Sequence, residues 1–369
     1  MDFGIPKQKR PFDYRVGMTP MGVEVLTRQG HRVYVEHDAG QGSGFEDERY
    51  RQAGAQIVYS PEEVYGRGQL ILTVSRPMEQ EFDLLQPGHI LCGFLHLAVA
   101  HPARLETLLQ RRITAVAYET IQTADGRLPV LAAASQIAGR MIAPIASQLL
   151  QNNEGGHGIL LGGVPGVPPA KVVILGAGIV GVNAARMFFA MGADVTLLDS
   201  DLSKLQLLEE RGCRARTMVA YDFNVAKVIR RADVVVGAVL IPGARAPIVV
   251  TREMVRTMKP RSVIMDVSID QGGCVETSRP TTYQAPTYIE EGVIHYCVPN
   301  MTGVVARTTT HAINNAFWPF IREIADKGLA EAIEVNSALR LGVNTHNGEI
   351  VHPMLRESVG GSTSFGGGQ

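Results

Sequence analysis

The stretch Lys171-Val-Val-Ile-Leu-Gly-Ala-Gly-Ile-Val-Gly181 sets an apolar strand directly against three glycines, Gly176, Gly178 and Gly181. In this G-x-G-x-x-G spacing the first glycine allows a tight turn and the second lets backbone approach a pyrophosphate. The third lets the following helix pack closely on the strand. That helix begins near Ile179 and points its free N–H groups at the phosphates. Asp199 stands at the end of the next apolar run, about 20 residues beyond the first glycine. A carboxylate there accepts hydrogen bonds from a ribose 2′-hydroxyl and repels a 2′-phosphate, so NAD is favoured over NADP. A glycine turn alone can be merely structural. Strand, turn, helix, strand and acid in this order predict a Rossmann domain.

Outward from this stretch, the β–α alternation continues through Asp194–Leu198, Val234–Ala238 and Ser262–Asp266. Upstream lies a Gly/Pro-rich junction, Gly155 to Pro169, with no Gly-Lys-Ser/Thr to make it a P-loop. A long helix is predicted from about Ala132 to Gln151. Ile137, Met141, Ile145 and Leu149 form one apolar face, and Pro144 is expected to kink it. The first 130 residues alternate a helix at Met21–Gln29 with apolar runs at Arg32–Glu36, Gln56–Val58, Gln69–Val74, His89–Phe94 and Thr114–Tyr118. This pattern predicts a second parallel α/β sheet. A helix over Thr308–Ala325 carries the chain back to the first domain. The expected division is therefore a discontinuous domain, 1–131 plus 308–369, around a Rossmann domain at 132–307. Gly360 to Gln369, rich in glycine and serine, is expected to be disordered.

The 369 residues suffice for two domains with proper cores, and 45% hydrophobic with 19% charged residues reads as globular. A formal net charge of −1 without a basic run argues against nucleic acid or an anionic membrane as partner. Met1 to Arg10 lacks the apolar core of a signal peptide, and no uninterrupted apolar run reaches the about 18 residues of a membrane span. Cys92, Cys213, Cys274 and Cys297 are scattered without CxxC spacing. They read as reduced cysteines of a cytoplasmic protein, with neither a metal site nor a disulfide framework.

The flanking segments resemble the alanine dehydrogenases and the related N-terminal part of nicotinamide nucleotide transhydrogenase over nearly the full length. The matching stretches begin with Asp13-Tyr-Arg-Val-Gly-Met-Thr-Pro20, Phe94-Leu-His-Leu-Ala98 and Ala117-Tyr-Glu-Thr120. Downstream follow Leu161-Gly-Gly-Val-Pro-Gly166, the run from Gly237 to Pro247, and Asp270-Gln-Gly-Gly-Cys274. The alanine dehydrogenases are the closer of the two. The resemblance implies two Rossmann-like domains with parallel sheets, joined by long helices, with the active site in the cleft between them. It also implies a homo-oligomer, commonly a hexamer, and reversible oxidation of L-alanine with NAD. Arg15 would hold the substrate carboxylate, as a guanidinium fork suits. His96 would be the active-site histidine, and its ordinary pKa near 6.5 suits proton transfer. Asp270 would organise water or ammonia near the nicotinamide, against which Asn300 and Met301 lie. A cap or turn role is the rival reading for Asp270 and Asn300. The resemblance places Ser135, Ile179, Val180, Val239 and Leu240 against the cofactor, and it implies no metal.

One wall departs from the family pattern. The family's Lys-x-Lys-Glu-Pro, whose second lysine is catalytic, is here Thr73-Val-Ser-Arg-Pro77, with Ser75 in the lysine position and Arg76 in place of the glutamate. Losing one charge-assisted hydrogen bond costs about 1.5–3 kcal/mol. Arg76 is not expected to substitute, because neighbours in an extended segment point opposite ways. The family's Pro-Met-Ser-Glu is here Ala133-Ala-Ser-Gln136, so Ala134 opens space on the substrate side. Gln8 stands where a glutamate is common. The leading expectation is an NAD-dependent oxidoreductase acting on an amino acid, 2-oxo acid or imine bulkier than alanine. Ordinary L-alanine dehydrogenase, a catalytically inactive NAD-binding protein and an NAD-dependent lyase or cyclase are the alternatives.

Overall fold

The computed structural model describes residues 1–360. Of the segment expected to be disordered, Gly360 ends the last helix and the remainder lies outside the described residues. Two compact units emerge. The first comprises Met1–Ala134, Pro242–Ala244 and the chain from Thr302; the second comprises Ser135–Ile241 and Arg245–Met301. Pro242–Ala244, inside the run Gly237 to Pro247, falls in the first unit, whereas the expected division placed it in the Rossmann domain.

The strands, in chain order, are β1 (Asp2–Ile5), β2 (Arg32–Glu36), β3 (Gln56–Val58), β4 (Leu70–Ser75), β5 (Ile90–Phe94) and β6 (Thr114–Ala117). The second unit supplies β7 (Lys171–Leu175), β8 (Asp194–Asp199), β9 (Arg216–Val219), β10 (Val234–Gly237), β11 (Val263–Asp266), β12 (Thr287–Glu290) and β13 (Val293–Tyr296). The chain then returns to the first unit with β14 (Val343–His346) and β15 (Glu349–Ile350).

The first sheet runs β15-β14-β6-β5-β4-β1-β2-β3. It is parallel except for β14 and β15 at one edge. β1 was not foreseen, yet it sits inside the sheet between β2 and β4. Four residues closed by Pro6 are too few to show a period. Both faces of this sheet are covered, so its strands alternate between two cores: Ile90, Cys92 and Phe94 enter one, Leu91 the other. The helices that cover it start on ordinary signals. Thr19 accepts from the Gly22 N–H ahead of Pro20, and Ser60 accepts from the Glu63 N–H ahead of Pro61.

The second sheet runs β12-β13-β11-β10-β7-β8-β9, parallel but for β12. Along β7, Val172 and Ile174 pack into one core and Val173 and Leu175 into the other. Strand order reverses between β7 and β10, which is where an open α/β sheet offers a crevice to a ligand. β9, β12 and β13 escaped the sequence reading. Edge strands of four residues carry little pattern, and β13 reads no differently from a buried helical turn.

Two long helices serve these units. Pro129–Leu149 starts in the first unit, where Val130 joins the core, and continues into the second with Ile142, Ala143, Ala146 and Leu149 buried. Pro144 lies inside it without ending it. Among the described residues it is the one helix long and apolar enough to cross a membrane, and its apolar residues are those the cores require. Ala306–Lys327, expected over Thr308–Ala325, turns Ile313, Phe317, Ile321 and Ile324 into the first unit's core at the three- and four-residue spacings of one helix face.

Candidate active site

In the first unit, β4 ends at Ser75 beside a buried ion pair. Arg15 forks onto Asp13, Nε to Oδ1 at 2.7 Å and Nη2 to Oδ2 at 2.7 Å, with both side chains 2% exposed. Nη2 also donates to Ser75 Oγ at 2.9 Å, and Nη1 to Thr302 Oγ1 at 3.1 Å. Ser75 Oγ in turn donates to Asp13 Oδ2 at 2.6 Å. Burial opposes ionisation of Asp13, but the Arg15 guanidinium and the Ser75 hydroxyl hold its carboxyl below the usual range. Gln8 closes the network from behind. Its Oε1 accepts from the Ser75 N–H at 2.9 Å, its Nε2 donates to Thr73 Oγ1 at 2.9 Å, and Thr73 Oγ1 donates to the Ser75 carbonyl at 2.8 Å. Gln8, Thr73 and Ser75 are therefore one hydrogen-bonded set.

Arg76 turns to different partners from Ser75. Its Nη1 donates to the Leu95 and His96 carbonyls at 3.1 and 3.2 Å. His96 follows β5 in a left-handed conformation, φ 45°. The turn is held by Glu119, which accepts the His96 N–H at 2.6 Å and the Leu95 N–H at 3.2 Å. Burial, helped by the charges of Arg76, Arg10 and Arg15, pushes the His96 imidazole down to about 3. This corrects the expectation of an ordinary histidine near 6.5. Three guanidiniums around a desolvated ring leave it neutral at physiological pH. Burial raises the Glu119 carboxyl to about 7, against the hydrogen bonds that favour its anion.

In the second unit the glycine turn has the shape a dinucleotide needs. Gly176 is left-handed, φ 107°, and a Cβ there would lie 2.3 Å from the Ala238 carbonyl. A Cβ on Gly181 would lie 1.9 Å from the Gly176 carbonyl. Gly178, by contrast, faces open space. It precedes the Ile179–Ala190 helix, whose N-terminus has no side-chain cap, so its first N–H groups are directed at whatever fills that space. Ile179 is 40% exposed and Val180 half-buried. Asp199 is buried at the end of β8, accepting the Ala177 N–H at 2.7 Å and the Asp201 N–H at 2.9 Å. Each carboxylate oxygen has acceptor capacity left for a ribose hydroxyl. The donor set thus fits a dinucleotide.

The loops after β10 and β11 are laced together by Ser268. Its hydroxyl donates to the Val239 carbonyl at 2.8 Å and accepts the Val239 N–H at 3.0 Å. Leu240 next to it is 41% exposed. Buried Asp266 gathers the N–H groups of Ser268, Cys274 and Val275, which bends the chain through Gly272 and Gly273, both left-handed. That bend presents Asp270, whose carboxylate accepts the Asn300 N–H at 3.1 and 3.3 Å. Asn300 is itself left-handed, φ 52°, so a turn role is present for this pair. Met301 is buried, and its carbonyl accepts from the Tyr283 hydroxyl at 2.5 Å.

Of the residues singled out from sequence, the structure joins Arg15 to Ser75 and Asp270 to Asn300, and it ties the His96 backbone to Arg76. Ala134 packs against the first unit's core, and Ser135 follows half-buried on the same helix. Asp13, Thr302, Glu119 and Ser268 were missed. Asp13 and Glu119 lay inside the quoted motifs, and an acid two residues before the motif arginine was the available signal. Thr302 and Ser268 left none, because their partners are remote in sequence.

Residues 4–138 match the profile of the alanine dehydrogenase/PNT N-terminal domain, and residues 143–353 that of the alanine dehydrogenase/PNT C-terminal domain. The chain is 48% identical over 360 residues to a Methanococcus maripaludis protein named alanine dehydrogenase, covering 97% of this chain and 96% of that one. A solved structure titled L-alanine dehydrogenase superposes with a TM-score of 0.88 at 42% identity, covering 98% of this chain and 99% of that one. A transhydrogenase from Sinorhizobium meliloti gives 0.75 at 25% identity, covering 96% and 99%. That order agrees with the closer likeness read from the motifs. By both halves of its sequence and along nearly its whole length, the chain belongs to the alanine dehydrogenase/PNT family.

Proposed function

We propose that this chain is an NAD-dependent amino-acid dehydrogenase whose substrate is L-alanine, converted reversibly with water to pyruvate and ammonia. The observation that carries the reading is the 48% identity, over 97% of the chain, to a protein named alanine dehydrogenase. It favours the ordinary reaction over the bulkier substrate that Ser75 and Ala134 suggest. Bound NAD supplies the hydride acceptor, the C4 carbon of its nicotinamide. Gly176, Gly178 and Gly181 with the N–H groups at Ile179 and Val180 hold the pyrophosphate, and Asp199 holds the ribose. Ser135, Val239, Leu240 and Met301 complete the cofactor contacts.

Arg15 binds the substrate carboxylate. Asp13 keeps its guanidinium oriented, and the substrate anion offsets positive charge that depresses His96. The imidazole therefore becomes more basic as substrate binds, and it takes a proton from the substrate heteroatom in one direction and returns it in the other. Asp270 organises the attacking water or the ammonia, with Asn300 fixed beside it. A homo-oligomer, hexameric by the resemblance, and a cytoplasmic location belong to the same proposal.

NADH absorbance decay with purified protein, ammonia and a panel of 2-oxo acids tests it. Pyruvate should be the best substrate. One observation supports a second reading: the Ser75 hydroxyl is already engaged with Asp13 and Arg15, and no amine stands at that position. Turnover of bulky 2-oxo acids or preformed imines, with pyruvate nearly inert, would select that reading and discard the first.

A further inference from the structure

The second unit carries a groove of 710 Å³ at the end of the sheet opposite the glycine turn. Lys171, Asp194 and Arg216 line it, and each is the first residue of its strand. The dinucleotide residues Gly176 and Asp199 lie at the other ends of β7 and β8. The Asp222–Ile229 helix starts just after the end of β9 and runs back toward these strand beginnings, burying Val225 and Ile229 on one face. The groove takes Phe223 and Lys227, one turn apart on this helix, and Arg230 and Arg231 from the turn that follows it. Phe223 is 75% exposed.

The charges do not balance here. Five cations and one carboxylate line the groove, and that carboxylate, Asp194, is paired with Arg216. Among the described residues, Lys171, Lys227, Arg230 and Arg231 have no carboxylate within ion-pair distance. A chain of net charge −1 thus concentrates four unpaired positive charges around one concavity. Cations after a helix C-terminus favour the helix dipole, which accounts for Arg230 and Arg231 in part. It accounts for neither Lys171, which arrives from a strand, nor the exposed aromatic at the other end of the helix. The volume lies within the about 300–1,000 Å³ of small-molecule sites.

We propose that this groove is a second ligand site, distinct from the dinucleotide site, for a nucleoside polyphosphate whose base stacks on Phe223 and whose phosphates are held by Lys171, Lys227, Arg230 and Arg231. An aromatic platform at one end and a polycationic one at the other match a ligand with a π-face at one end and several negative charges at the other.

Calorimetric titration of ATP into the full-length protein, with the dinucleotide site filled by saturating NADH, tests this. Saturable binding that weakens as salt rises is expected. Arg230→Glu/Arg231→Glu, both exposed positions, should lower ATP affinity by at least about tenfold, with NADH affinity and melting temperature unchanged. Phe223→Ala should weaken ATP by about fivefold or more and leave inorganic triphosphate unaffected. No binding in the presence of NADH, displacement of NADH by ATP, or equal ATP affinity in the charge-reversed variant would overturn the site. Equal affinity for ATP and inorganic triphosphate in the unaltered protein would overturn its nucleoside specificity.

Discussion

Arg15 is held from three directions, and those partners are not equivalent. Asp13 is a buried counter-charge, so Asp13→Asn leaves a desolvated guanidinium uncompensated, a change that costs about 3–5 kcal/mol. Ser75→Ala removes one hydroxyl from charged partners and leaves the fork intact, which costs about 1.5–3 kcal/mol at most. Denaturant unfolding should rank the variants in that order, and equal losses would contradict the network. Ser75→Lys places a second cation beside Arg15 and displaces the Ser75–Asp13 bond. The expected outcome in the same denaturant unfolding is lower stability than Ser75→Ala. The sequence made Arg15, His96 and Ser75 legible because motifs frame them. It could not show that Gln8, Thr73 and Ser75 bond to one another, because strand pairing brings positions 65 to 67 residues apart into contact.

At the scale of elements, the strand–turn–helix of the glycine motif gives physical form to the separate roles that the spacing assigns to its glycines. Gly181 packs helix against strand: a Cβ 1.9 Å from the Gly176 carbonyl cannot be accommodated without moving backbone. Gly178 meets nothing and has an ordinary φ of −73°. Gly181→Ala should therefore lower the melting temperature of the free protein. Gly178→Ala should leave it unchanged or slightly raised, since alanine restricts the unfolded chain. Gly178→Ala should still weaken NADH by at least about tenfold, because the methyl fills the space a pyrophosphate approaches. Thermal melts with and without NADH read both effects, and a stability loss in Gly178→Ala would refute the division. Long periodic elements such as Ala306–Lys327 were legible within a few residues. The strands that escaped, β1, β9, β12, β13, β14 and β15, have two to four residues each. What places them is the sheet they join, not their own pattern.

For the whole molecule, the buried groups behind the His96 turn determine how folding responds to acid. His96 is lowered to about 3 from an ordinary 6.5, so the unfolded chain binds its proton first, and stability is lost as pH falls below about 6.5. Glu119 is raised to about 7 from 4.5, so the folded chain holds that proton, and stability is gained as pH falls from about 7 to 4.5. Each contributes a slope of about 1.4 kcal/mol per pH unit, with opposite signs. Between about pH 4.5 and 6.5 the two cancel, and the histidine turn is insulated from mild acid by the carboxyl that fixes it. Glu119→Gln removes one member. It forfeits one of two backbone hydrogen bonds, a loss that is the same at every pH and shifts the curve without tilting it. The tilt is diagnostic. The difference in stability between variant and unaltered protein should grow by about 1.4 kcal/mol per pH unit from 6.5 down to 4.5. Trp318, the chain's one tryptophan, packs against the first unit's core and reports its unfolding by fluorescence. If the two denaturation curves keep a constant separation across that range, the opposed titrations of His96 and Glu119 do not operate.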